Sequence, residues 1–145
     1  MTDEEYRIIL SNLKNLNGQE VSQEFITRML KGFHISKHAI EEMKKRTSLG
    51  ELVAYKENGT EISSIIDFRR TCYNIRKMIE KRILAYINTD GSINIAITDY
   101  DYFVFAYDYK KDRWTLITWK EKSWYDKSIW QKKRMAEVGF ARKEK

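Results

Sequence analysis

Between Arg82 and Ser123 apolar and polar positions alternate with a period of two, and the rest of the chain reads as helix arranged around that stretch. Four strands are expected there: Ile83–Asn88, Ser92–Thr98, Tyr102–Asp108 and Arg113–Lys120. Their connections are short, and a parallel pair needs a long crossover, so the pattern predicts an antiparallel meander. Asp90 followed by Gly91 between β-branched runs adds a hairpin signal, because glycine accepts the positive φ of a tight turn. Ile93, Ile95 and Ile97 should share a face, with Asn94 and Ala96 on the other. Trp114, Leu116 and Thr118 should likewise oppose Thr115, Ile117 and Trp119. Both faces of the last two strands carry apolar groups, so part of each face should be covered.

Elsewhere the period is that of a helix. Thr2 and Glu5 form a capping box, and Tyr6, Ile9, Leu10, Leu13 and Leu16 mark one face of a helix to about Asn15. A second helix, about Ser22–Lys31, buries Phe25, Ile26, Met29 and Leu30, so residues 1–32 read as a helical hairpin. Ser36 is placed to cap a helix carrying Ala39, Ile40 and Met43. Ser48 and Glu51 predict a short helix through about Lys56. A long helix, about Glu61–Ile83, follows from the stripe Ile65, Phe68, Cys72, Ile75, Ile79 and Ile83. Residues 123–138 predict a C-terminal helix anchored by Trp124 and Met135. The expected class is α+β: N-terminal helices, a four-stranded antiparallel meander and a C-terminal helix, in one domain over residues 1–145.

Composition narrows the partners. Hydrophobic residues make up 42% of the chain, enough for a packed core. One cysteine, Cys72, excludes an intrachain disulfide and fits a reducing cytoplasm, and its place on the apolar stripe makes it packing and not a nucleophile. No run approaches the length of apolar chain that a membrane span needs, and no signal peptide is read. The net charge of +6 is unevenly placed: residues 120–145 hold nine Lys and Arg against four acids. Such segregation is the footprint of a polyanion partner, or of a basic tail that aids solubility.

Arg69, Arg70, Arg76 and Lys77 flank Tyr73 beside the apolar stripe of the long helix, and Lys132, Lys133 and Arg134 follow near the C-terminus. These are the candidate nucleic-acid-binding residues, since phosphate contact needs cations and base stacking needs an exposed aromatic. Tyr86, Trp119 and Trp124 are further candidate stacking groups. His34 and His38 are four apart, but the Ser36 cap separates them and no third ligand stands near, so no metal and no other cofactor are expected. Glycines are scattered singly, which excludes a glycine-rich phosphate loop.

The helix from Ile35 to Arg46, with His38, Ala39, Met43 and Arg46, followed by a helix and a meander ending in Leu116–Lys120, resembles the RelE/BrnT-like ribonuclease toxins of prophages and mobile elements. The likeness spans about residues 33–123. It implies a His-bearing helix packed on a small antiparallel sheet, and metal-independent RNA cleavage. In that chemistry the ribose 2′-hydroxyl attacks the neighbouring phosphate. His38 would be the acid or base, Arg46 a phosphate contact and Lys120 a second cation. Each also has a plain structural role: a first-turn histidine, a cation near a helix C-terminus and a solvated lysine. The expected function is therefore RNA cleavage or RNA binding without cleavage. The alternative is a non-enzymatic inhibitor of a mobile element that binds and blocks a host protein through an aromatic-rich surface. Expected partners are RNA ahead of DNA, or a host protein, with a homodimer compatible with either and no membrane.

Overall fold

The computed structural model describes residues 1–45, 50–58, 61–81, 84–97 and 101–121. Thr2 caps helix α1 (Asp3–Ser11): its hydroxyl accepts from Glu5 N at 3.1 Å, and Glu5 accepts from Thr2 N at 2.8 Å. The helix stops short of Asn15 because the Ser11 hydroxyl and the Asn12 amide both donate to Ile8 O, at 2.9 and 2.8 Å, and compete for a helical carbonyl. The chain tightens into a 3₁₀ turn over Leu13–Leu16. It then runs along the sheet edge before α2 (Gln23–Met29), which Ser22 caps.

β1 (His34–Ile35) is followed at once by α3 (Lys37–Lys44), with Ser36 as N-cap. β2 (Tyr55–Asn58) and β3 (Glu61–Ile66) form a separate antiparallel pair. Helix α4 (Phe68–Ile79) comes next, and then β4 (Leu84–Ile87), β5 (Ile93–Ala96), β6 (Asp101–Asp108) and β7 (Arg113–Glu121).

The architecture is mixed α+β, and the main sheet has five strands in the order β1-β7-β6-β5-β4. β4 to β7 pair consecutively and antiparallel, while β1 adds to β7 in parallel, with Ile35 opposite Leu116. The fifth strand was not expected: two residues are too few to show alternation. The outer edge of β4 is covered by the segment before α2, through Gly18 N to Ile87 O (2.7 Å), Ile87 N to Gln19 O (3.0 Å) and Val21 N to Ala85 O (3.0 Å). In the β4–β5 turn Gly91 has φ 86°, and a Cβ there would meet Leu13 Cβ at 3.2 Å.

Two expected helices are corrected. Residues 61–66 are strand and not the start of a long helix, so that helix begins at Phe68. The Ile62-to-Ile66 run is rich in β-branched residues, and Asp67 accepts from Arg70 N at 3.1 Å and starts the helix there. Ile65 is 61% exposed and Phe68 49%, so the upper part of the predicted stripe is not core. The short helix expected through Lys56 gives way to β2 at Tyr55, which pairs with Ile66. The predicted C-terminal helix, 123–138, lies outside the described residues.

One face of the sheet carries Ile87, Ile93, Ile95, Phe103, Phe105 and Leu116, and α1, α2, α3 and α4 bury Leu10, Phe25, Ile26, Ile40, Met43, Ile75 and Ile79 in the same cluster. The other face holds a smaller cluster of Leu84, Ala96, Tyr102 and Val104. A bulge in β7 decides which residues sit where. Phe105 pairs with Leu116 but Val104 pairs with Thr118, so Ile117 is the extra residue. The expected alternation therefore breaks: Trp119 joins Trp114 and Leu116 in the larger cluster, whereas Thr118 pairs with Val104 on the second face.

Candidate nucleic-acid interface

Helix α4 owes its orientation to its buried side. Thr71, Ile75 and Ile79 are buried, and Cys72 and Met78 are half-buried beside them. The Thr71 hydroxyl accepts from Ala54 N at 2.9 Å and donates to Asp67 O at 2.8 Å. Asn74 donates to Leu52 O at 3.0 Å, which ties the helix to the chain before β2. Cys72 donates its S–H to Phe33 O at 3.7 Å, and burial holds its thiol pKa above the usual value. Its surroundings are those of packing and not of a nucleophile.

The opposite side of α4 is exposed and basic. Arg69, Arg70, Tyr73 and Lys77 are exposed there and Arg76 is half-exposed. Tyr73, 53% exposed, stands among these four cations, with the Lys77 ammonium 5.8 Å from its ring centroid. Glu80 is the acid of this side, at 3.6 Å from Lys77. Arg69 and Arg70 occupy the first turn, where the helix dipole disfavours positive charge, next to the Asp67 carboxylate that caps the helix and offsets that effect. From Arg69 to Lys77 the cations extend over roughly 12 Å of helix axis.

Of the residues named for cleavage, His38 and Lys120 lie on elements that meet different faces of the sheet. His38 is exposed on the first turn of α3, with its Nε2 3.9 Å from Glu42 Oε1. Helix α3 packs on the first face of the sheet, through Ala39, Ile40 and Met43. Lys120 pairs with Tyr102 in register and lines a cavity on the second face. The bulge at Ile117 puts it there; unbroken alternation from Leu116 would have kept it on the α3 side. Arg46, Lys132, Lys133, Arg134 and Trp124 lie outside the described residues.

Of the other candidate stacking groups, Trp119 is buried in the main core and Tyr86 is half-buried on the second face. His34, on β1, has its pKa lowered by burial first and then by the charges of Arg113 and Lys111. It sits on a different element from His38, and among the described residues no group of three or more His, Cys, Asp or Glu is placed to hold a metal ion. Among those residues, too, no helix is long and apolar enough to cross a membrane.

A polar cluster on the second face, Asn88, Asp90, Ser92 and Asn94, did not stand out as a site. Its one signal in the sequence is Asn94, a buried amide within a run of isoleucine and alanine. No protein-family model, curated protein or solved structure matches the chain.

Proposed function

We propose that this chain binds single-stranded RNA through the exposed side of α4, as a non-cleaving protein of RelE/BrnT-like ancestry acting in the cytoplasm. The observation that carries the proposal is the clustering of Arg69, Arg70, Arg76 and Lys77 around the exposed ring of Tyr73 on one side of one helix. Cations there contact phosphate, and Tyr73 gives an unpaired base a surface to stack on. The packing of α3 on the sheet supports the proposed ancestry, and the separation of His38 from Lys120 favours binding over cleavage.

The test is fluorescence anisotropy with labelled single-stranded and duplex RNA of one sequence. The proposal expects tighter binding of the single strand, and a loss of about 1–3 kcal/mol for Tyr73→Ala on that strand alone. Equal affinity for both RNAs, unchanged by the substitution, would refute stacking at Tyr73. A host-protein partner has one observation in its favour, the exposure of Ile65 and Phe68 at the start of α4. Absence of RNA affinity at low salt would leave that reading standing in place of ours.

A further inference from the structure

The second face of the sheet holds a cavity of about 660 Å³, within the size range of small-molecule sites. The β4–β5 hairpin, β6, β7 and the turn at Asn17 and Gly18 line it, and none of the α4 cations does. A connected polar network forms part of its wall. Asn88 Nδ2 donates to Ser92 Oγ at 3.0 Å and to Asn94 Oδ1 at 2.7 Å. Asn94 Nδ2 donates to the Tyr86 hydroxyl at 3.2 Å. Asp90 Oδ1 accepts from both the backbone and the hydroxyl of Ser92, at 2.9 and 2.6 Å, and these bonds hold its carboxyl below the usual carboxylate range.

The network fixes the amides without exhausting them. Both amide hydrogens of Asn88 are used, which leaves its Oδ1 as an acceptor; Asn94 keeps one amide hydrogen as a donor. A carboxamide acceptor beside a carboxamide donor matches the paired donor and acceptor on a nucleobase edge. Tyr86, Tyr102 and Val104 also line the cavity. Charge is divided across the cavity: Asp90 lies at the hairpin turn, and Lys120 pairs with Tyr102 towards the other end of the strands. Among the described residues Lys120 is the one cation of the lining, and it offers a point charge to a single anionic group.

We infer that this cavity binds a nucleoside monophosphate, with the base edge on Asn88 and Asn94 and the phosphate at Lys120. Asp90 repels the phosphate from the hairpin end and so sets the orientation. This site is independent of the RNA-binding proposal for α4, and either can fail alone.

The experiment is nitrogen-edited NMR of the full chain, following the side-chain amides of Asn88 and Asn94 during titration with each of the four 5′-ribonucleoside monophosphates. Parallel titrations use the parent nucleosides and inorganic phosphate. Saturable shifts of both amides are expected with at least one nucleotide. Lys120→Gln should weaken that binding about tenfold and Asn88→Ala by a similar factor, while the nucleoside alone binds like nucleotide to the Lys120 variant. Lys120 is exposed, so its variant should fold as the parent does. Amides that stay unmoved at millimolar nucleotide would overturn the inference. So would equal shifts from inorganic phosphate alone, or affinity unchanged in both variants. Shifts confined to α4 would also overturn it, while leaving the RNA-binding proposal intact.

Discussion

The Trp114 indole donates its N–H to the Tyr6 hydroxyl at 3.0 Å, and both side chains are buried. The bond fastens α1 to β7 across the core, and Phe25 fills the angle between them, edge-on to Trp114 at 6.0 Å. Tyr6→Phe removes the acceptor and leaves a buried indole N–H without a partner. The expected loss is about 1–3 kcal/mol, read as a lower denaturant midpoint with an unchanged slope. An unchanged midpoint would mean that the indole finds another acceptor.

Ser36 joins α3 to the bulge of β7. Its hydroxyl accepts from Ala39 N at 3.0 Å as the N-cap and donates to Ile117 O at 2.9 Å. Ser36→Ala loses both bonds and should cost about 1–2 kcal/mol in thermal or chemical unfolding. Ser36→Thr keeps the hydroxyl and should recover most of that loss.

Arg7 and Asp112 form a bidentate pair between α1 and the β6–β7 turn, at 2.7 and 3.0 Å. Arg7 first, and then the Tyr107 hydroxyl, hold Asp112 down to about 2. A carboxyl depressed in the folded state stabilises fully above its ordinary pKa and loses that contribution as pH falls through the depressed value. Asp112→Asn should therefore lower the melting temperature at neutral pH, and parent and variant should converge as the pH drops from about 4 to about 2. Asparagine tolerates the φ of 51° at this position, so the comparison reports the charge. Both partners are exposed, so added salt should narrow the neutral-pH difference.

The strands β4 to β7 were legible because Asp90 with Gly91 marks a tight turn and the isoleucines of β5 alternate cleanly. The caps at Thr2 and Ser36 were legible for the same local reason. What could not be read depends on pairing across the fold. β1 is a strand only because β7 lies beside it, and Glu61–Ile66 carries apolar residues at spacings that suit either a helix or a strand. The bulge at Ile117 mattered most for the site. One extra residue reverses the parity of everything after it, which moves Lys120 away from His38 and into a polar cavity. The α4 cations were legible because helical spacing alone brings them to one side, wherever the helix begins.

Cleavage has a specific expectation. Helix α3, which carries His38, packs on the first face of the sheet and Lys120 lines the second, so no shared action on one phosphate is expected. RNA incubated without divalent metal should remain intact, and His38→Ala should bind RNA as tightly as the parent. Metal-free cleavage that disappears in His38→Ala would instead make this histidine catalytic.

The salt dependence of RNA affinity tests the central claim most directly, comparing the parent with Arg70→Glu/Lys77→Glu. If α4 neutralises phosphates, the parent's affinity for single-stranded RNA falls steeply as salt rises. The double variant binds more weakly at low salt, and its slope is shallower by about 1.4, from about 0.7 for each of two lost phosphate contacts. An affinity and a slope identical to those of the parent would contradict an RNA interface on α4.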